Sequence, residues 1–271
     1  MNACPCRWVR ACCAWKSRRS MPSPSLKRCY PAGPKAKMTP QMSLPIEWLV
    51  EQRVRVAGRE FRLLTVRDVG ALLTALPDDA EIPYWAILWE SAVALTEWLT
   101  AHPESVRGKR VLELGAGVGL CGLVAQVLGA QVVQNDYQPD ALALCAHNAR
   151  LNGLEPPTQL LMDWRNWQHN QCYEVVLGAD LIYDRALHEP LLKVLEQALA
   201  PSGVALLADP WRDAGWEFAD KLLAAGWQLV LDRRPVRTHT TRQDENAPIT
   251  PSEGSAKKTL EVLLIQASRC G

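Results

Sequence analysis

The 271-residue sequence predicts an α/β fold: an open, mainly parallel sheet of seven strands covered on both faces, preceded by a β-hairpin and a helix. Three observations predict it. From Lys109 onward, short apolar runs alternate with longer stretches that are apolar every third or fourth residue. Gly129, Gly153, Gly203 and Gly226 stand where those helical stretches give way to the next apolar run, as a left-handed helix terminus prefers. One apolar run passes directly into three alternating glycines and then a helix. Strand–helix alternation of this kind builds a three-layer sandwich around a parallel sheet. The 48% apolar content suffices for a sizeable core. No run approaches the roughly 18 apolar residues that a membrane-spanning helix needs.

Element by element, Glu51–Val56 and Glu60–Val66 alternate in character around Ala57-Gly58 and read as a hairpin. A short helix is expected over Asp68–Leu76, closed by Pro77. Ala92, Val93, Leu95, Trp98 and Leu99 fit one helical face that ends at His102-Pro103. Strands are expected at Arg110–Leu114, Gln131–Asn135, Thr158–Leu161, Tyr173–Ala179, Val204–Ala208, Trp227–Leu231 and Leu260–Gln266. Helices are expected at Leu120–Leu128, Pro139–Leu151, Ala186–Leu199 and Asp213–Ala225. Arg233–Lys258, rich in Thr, Arg, Pro and acids, reads as a long exposed connection. Three regions follow: residues 1–42, a hairpin and helix region over 43–108, and the alternating domain over 109–271.

The segment 1–42 stands apart. Residues 1–46 hold nine Lys or Arg and no acid, and five of the nine cysteines (Cys4, Cys6, Cys12, Cys13, Cys29) fall there. It is expected to be disordered. Two readings stay open: an organelle transit peptide, which is Arg- and Ser-rich and poor in acids, or an over-extended gene start ahead of Met42. The first places the protein in an organelle matrix and the second in the cytoplasm. The rest of the chain carries 21 basic and 29 acidic residues. A body that acidic is a poor binder of nucleic acid, so a small molecule or a protein with a basic side chain is the expected partner. Cys121 and Cys145 read as small buried hydrophobes of a reducing compartment.

The most informative stretch is Val111-Leu112-Glu113-Leu114-Gly115-Ala116-Gly117-Val118-Gly119-Leu120. Without Cβ atoms the chain turns sharply and a ligand lies against bare backbone at the helix start. Asp136 follows at the end of the next strand, 17 residues beyond Gly119, placed to accept from ribose hydroxyls. A shifted dinucleotide fingerprint, Gly117-x-Gly119-x-x-Gly122, begins two residues too late after the strand. Glu113, expected to face the pocket, suits a ligand with a cationic ammonium and repels a pyrophosphate. S-adenosylmethionine carries an amino group and a sulfonium, whereas NAD carries two phosphates.

Glu113–Gly119 with Asp136 resembles motif I and its acidic partner in the class I, seven-stranded methyltransferases, which have a Rossmann-like fold. Trp89-Glu90-Ser91-Ala92, Asp163-Trp164 and Asp180-Leu181-Ile182-Tyr183 are similar to the family-16 protein methyltransferases, the branch of the small lysine methyltransferases. Pro83–Ile87 and Asp209-Pro210-Trp211-Arg212 look closest to the electron-transfer-flavoprotein β-subunit lysine methyltransferases; Trp211 stands where those relatives usually carry a small residue. The resemblance implies S-adenosylmethionine as cofactor, held by Trp89, Glu113, Gly115, Gly117, Gly119, Asp136, Asp163, Trp164 and Ala179. It implies Asp180 and Tyr183 as the catalytic pair, acting on a lysine of a protein substrate. Each has a plainer reading: Asp163 as a polar turn, Trp89 as a core residue, Asp180 as a helix N-cap. Asp184, nearer the next helix, weakens the last of these. Asp209 converges on the same rim, and Arg212 could contact a partner or be merely solvated.

No His, Cys and carboxylate set has metal-ligand spacing, so no metal is expected. His147 and His188 read as surface residues. A monomer without membrane or specific nucleic-acid contacts is expected. Three alternatives remain at this point: a small-molecule amine N-methyltransferase on the same fold, a nicotinamide-dependent oxidoreductase, and a non-catalytic binding module.

Overall fold

The structure, a computed structural model, describes residues 48–56, 58–67, 70, 74, 82–237 and 259–269. Segment 1–42 lies outside the described residues, as does the expected helix Asp68–Leu76 apart from Gly70 and Thr74.

The chain enters through a hairpin, β1 (Leu49–Val56) and β2 (Arg59–Val66). Val56 pairs with Arg59 across a two-residue turn, and Gly58 supplies the positive φ (81°) that such a turn requires. Val54, Val56, Phe61 and Leu63 point inward and are buried, while Arg55, Arg59 and Arg62 stay exposed. The outer edge of β2 would present unpaired amides and carbonyls. Two asparagines one helical turn apart close it. Asn148 Oδ1 accepts from Leu64 N (2.8 Å) and its Nδ2 donates to Leu64 O (3.3 Å). Asn152 does the same for Arg62 N (2.9 Å) and O (2.6 Å). Asn148 Nδ2 also donates to Val118 O (2.9 Å), which ties the hairpin to the glycine turn.

The main sheet contains β3 (Arg110–Leu114), β4 (Gln131–Asp136), β5 (Thr158–Leu161), β6 (Tyr173–Ala179), β7 (Leu199–Asp209), β8 (Trp227–Arg237) and β9 (Thr259–Arg269). Its order is β5-β4-β3-β6-β7-β9-β8, and only β9 runs antiparallel to its neighbours. The order reverses at β3, where β4 lies to one side and β6 to the other. In open α/β sheets a ligand crevice forms at such a point, beyond the carboxyl ends of the strands.

Among the described residues, the sheet is covered by α1 (Glu90–Ala101), α2 (Leu120–Val127), α3 (Pro139–Leu151), α4 (His188–Ala198) and α5 (Asp213–Ala224). Alternate residues of each strand feed opposite cores. Val111, Val175, Leu177 and Leu206 pack with Leu95, Leu99, Leu123 and Leu144 of α1–α3, and this core extends to Val54 and Phe61 of the hairpin. Leu112, Val176, Leu207 and Ile265 pack on the other face with Leu191 and Leu195 of α4 and with Phe218 and Leu222 of α5. The result is a three-layer sandwich of Rossmann-like type.

Several boundaries differ from the expectation. β7 begins at Leu199, running through Pro201 and Gly203, because Leu199 pairs with Tyr173 ahead of a register shift. Gly203 therefore lies inside a strand, whereas Gly129, Gly153 and Gly226 adopt the positive φ of helix ends. Arg233–Arg237, expected in the exposed connection, are strand, paired antiparallel with Thr259–Leu263; residues 238–258 lie outside the described residues. β4 takes in Asp136, and β9 runs to Arg269. α4 starts at His188 after a 3₁₀ turn over Arg185–Leu187. His188 is buried, not on the surface: its Nε2 donates to Ile182 O (2.9 Å) and its ring meets the Phe218 ring edge-on. His147 is exposed.

Candidate active site

A cavity of about 810 Å³ opens beyond the carboxyl ends of β3, β4 and β6. Of the eleven residues expected at a site, ten line it: Trp89, Glu113, Gly115, Gly117, Asp136, Asp163, Trp164, Ala179, Asp180 and Tyr183. Gly119 sits behind the turn, with Cys145 Sγ 2.9 Å from where a Cβ would stand.

The glycine turn follows β3 without a break. Gly115 and Gly117 hold φ of 55° and 53°, a region that costs an L side chain about 1–2 kcal/mol. A Cβ on Gly115 would strike Leu181, and one on Gly117 would lie 3.1 Å from the Trp85 carbonyl oxygen. Asp136 anchors the turn from β4. Its Oδ2 accepts from Gly117 N (3.1 Å) and its Oδ1 from Gln138 N (3.0 Å). The Tyr137 amide also donates to Asp136, and since a carboxylate offers about four lone pairs, capacity remains for one ligand hydroxyl.

Glu113 takes a different posture from the one expected. It is 3% exposed, and its Oε2 accepts from Gln134 Nε2 (2.7 Å). The Cys121 and Gly122 amides at the start of α2 also donate to it. Gly122 is required there, because a Cβ would collide with the Glu113 carboxylate. Glu113 thus forms part of the cavity floor and caps a helix. Burial outweighs these hydrogen bonds and pushes its carboxyl up to about 7. A carboxyl whose folded pKa is raised above its ordinary 4.5 stabilises the fold fully below that value. It loses the contribution as pH rises through 7, worth about 3 kcal/mol for a shift of this size. Asp136, Asp180 and Asp209, each raised first by burial, add the same sign. Urea unfolding of Glu113→Gln should therefore show a shallower loss of stability between pH 5 and 8 than the parent. Parallel pH dependences for the two proteins would contradict this.

Asp163 and Trp164 form the wall beyond β5. Asp163 caps the 3₁₀ turn Trp164–Asn166 through Arg165 N (2.8 Å) and pairs with the Arg165 guanidinium. That guanidinium holds its carboxyl below the ordinary range. Trp164 is fixed by a residue the sequence reading missed. Asn135, fully buried on β4, accepts from Trp164 Nε1 (2.9 Å) and donates to Leu160 O and Met162 O (both 2.9 Å). An asparagine ending an apolar strand next to Asp136 was the available signal. Across the cavity Trp89 precedes α1, and its Nε1 donates to Tyr84 O (3.2 Å).

The far end of the cavity is acidic and aromatic. Asp180 follows β6 with φ 60°, and Trp211 follows β7 with φ 61°. Positive φ in two non-glycine residues at neighbouring strand ends is the kind of strain that collects at functional sites. Asp180 is 8% exposed, and Tyr183 is half exposed at the mouth. Arg212 turns inward instead of toward solvent: its NH1 donates to Asp180 Oδ1 (2.6 Å) and Asp209 Oδ2 (3.2 Å). Burial raises the Asp180 carboxyl, the Arg212 charge opposes that, Asp209 adds to it, and Ser91 opposes it weakly. Among the described residues no cluster could hold a metal ion.

This sheet order, with a reversed β9 and a glycine turn after β3, defines a methyltransferase-type α/β domain. A 16S rRNA methyltransferase of T. thermophilus, solved in complex with AdoMet and guanosine, shares the fold at 17% identity and a TM-score of 0.54, over 82% of this chain and 51% of that one. The chain belongs to the lysine methyltransferase family, which it matches over residues 78–221. It is 38% identical over 174 residues to the electron transfer flavoprotein beta subunit lysine methyltransferase of Mus musculus, covering 63% of this chain and 65% of that protein. The rat protein of the same name matches at 37% over 48% of this chain and 51% of its own length. The chain thus spans about half to two thirds of these relatives. A histone-arginine methyltransferase of Xenopus laevis is 24% identical over 82% of this chain and 96% of its own length.

Proposed function

We propose that the chain transfers a methyl group from S-adenosylmethionine to a lysine side chain of a protein. The observation that carries the reading is the continuity of one cavity, from the glycine turn and Asp136 at one end to Asp180 and Tyr183 at an open mouth. The residues fit this cofactor. The bare backbone of Gly115–Gly117 admits close approach, Asp136 keeps a lone pair for a ribose, and Asp163 and Trp164 flank room for a purine. The cofactor supplies an electrophilic methyl group on a sulfonium.

The chain supplies alignment and charge. Alignment of reacting groups is worth up to about 7–11 kcal/mol of a barrier. A lysine ammonium with an ordinary pKa near 10.4 costs about 4.6 kcal/mol to deprotonate at pH 7. Asp180 Oδ2, whose partner is Ser91 Oγ at 3.4 Å, accepts a hydrogen bond from the entering amine and fixes its direction. Tyr183 walls the approach. The half-exposed mouth and the acidic pit suit a basic side chain carried on a large substrate better than a small amine that needs enclosure.

Arginine as the acceptor is the second reading, favoured by the length over which the Xenopus relative matches. Incubation with methyl-tritiated S-adenosylmethionine and a cell extract, followed by acid hydrolysis of the protein fraction, separates the two. Label in methyllysine is expected; label in methylarginine, or only in small metabolites, would overturn the lysine assignment.

A further inference from the structure

We infer that Arg212, anchored by Asp209, is a positioning residue that favours the ionised form of the Asp180 carboxylate and turns it so that one oxygen is left for the substrate's nitrogen. The inference deepens the reading above and rests on it. Asp209 is fully buried at the end of β7, and both its oxygens are spent on Arg212. Oδ1 accepts from the Arg212 backbone amide (2.9 Å), and Oδ2 accepts from NH1 (3.2 Å). The start of α5 presses against it, since a Cβ on Gly215 would lie 2.9 Å from Asp209 Oδ1. Asp209 therefore cannot turn toward the cavity. What it does is fix the guanidinium.

Held in this way, NH1 reaches Asp180 Oδ1 at 2.6 Å. Asp180 is pinned from its backbone too, because its amide donates to Ala208 O (2.9 Å). Its φ of 60° sets the direction in which the side chain leaves the backbone. Oδ1 is occupied, and Oδ2 meets Ser91 Oγ at 3.4 Å, a long contact that leaves its lone pairs open to the cavity. Two carboxylates and one guanidinium leave the pit with one net negative charge, which an entering ammonium cancels.

The charged and titratable groups around this cluster come from every neighbouring element. Ser91 comes from α1, Tyr183 and Asp184 from the segment after β6, and His188 from α4 toward Asp209. Tyr183 also lies under the guanidinium, with its ring centre 6.0 Å from Arg212 Cζ. Arg212 is the only cation bonded to Asp180 among the described residues. Without it, two acids would share a poorly solvated pocket, and like charges so placed do not both ionise at neutral pH. Asp209→Asn would have the opposite effect: it removes a like charge, while an amide oxygen can still accept from the Arg212 backbone and NH1 keeps its shorter bond to Asp180 Oδ1.

The sign of the two changes makes the test. With the full chain labelled with carboxyl-¹³C aspartate and the Asp180 signal identified by Asp180→Asn, NMR titration should show Asp180 protonating at higher pH in Arg212→Gln. It should protonate at lower pH in Asp209→Asn and near the parental pH in Arg212→Lys. The acidic limb of kcat/KM should move in the same directions. Arg212→Gln should lose about 10–100-fold in kcat/KM, as removal of an outer supporting partner does, with S-adenosylhomocysteine affinity unchanged. Equal or like-signed shifts in Arg212→Gln and Asp209→Asn, or no shift in either, would overturn the inference. The NMR titration reads Asp180 whether or not methyl transfer is seen, so it stands apart from the assignment of function. If Arg212→Gln does not fold, the downward shift in Asp209→Asn decides the matter.

Discussion

Asp180→Asn is expected to lower kcat by about 10²–10⁴-fold, the range a positioned proton acceptor contributes, while S-adenosylhomocysteine affinity stays within about threefold. The asparagine keeps the size of the side chain and can still accept from Arg212 through its Oδ1. What it loses is the negative charge that draws an ammonium into the mouth, and the second acceptor oxygen that aligns it and can take up its proton. The loss should fall on turnover, because the stretch of cavity wall expected to meet the cofactor, Gly115–Gly117 and Asp136, lies at the other end. Stopped-quench measurement of a single turnover, beside calorimetry of the cofactor product, separates the two quantities. Activity surviving within tenfold would remove Asp180 from the chemistry.

Gly117→Trp should abolish cofactor binding, lowering affinity by more than about 100-fold, or 2.7 kcal/mol. Two costs combine. The backbone at φ 53° disfavours any side chain by about 1–2 kcal/mol. The Trp85 carbonyl at 3.1 Å closes the direction in which a Cβ would point, and that neighbour is main chain. An indole at this position would then have to occupy the cavity. Gly117→Ala carries both of these costs without an indole to place in the cavity and should weaken binding about tenfold. Calorimetric titration with S-adenosylhomocysteine checks both. Retention of parental affinity in Gly117→Trp would mean that the ligand does not lie against this turn.

What was legible in the sequence, and what was not, follows from the range of the interactions. The bounds of β3, β5, β6 and α3 agree with the expectation because each is a local apolar pattern closed by a local breaker. The glycine turn and Asp136 were legible because strand, turn and next strand are close in sequence. Glu113 illustrates the limit. Its place at a strand end was readable, but its direction depends on Gln134 and on the helix start at Cys121–Gly122. Its charge is met by amides in a buried place. The Asp180–Arg212 pair joins residues 32 apart, and the sheet order alone makes β6 and β7 neighbours. Nothing in Arg212's surroundings in sequence separates an inward guanidinium from a solvated one. The extra length of β7 and β8 was hidden for another reason: Pro201, Gly203 and Pro235 read as breakers, yet the first two sit in the register shift between β6 and β7 and the third on the edge strand β8, places that tolerate them. His188 was misplaced because one polar residue on a helix says nothing of a carbonyl, Ile182 O, waiting beneath it.

The cavity beyond β3 and β4 is expected to receive a positively charged sulfur nucleoside and not a dinucleotide. Calorimetric titration of the full chain with S-adenosylhomocysteine and with NAD, each repeated on Asp136→Ala, tests it most directly. Saturable binding of S-adenosylhomocysteine that Asp136→Ala removes, with no heat from NAD, is the expected result. Binding of NAD with S-adenosylhomocysteine inert, or S-adenosylhomocysteine binding that is indifferent to Asp136, would contradict it.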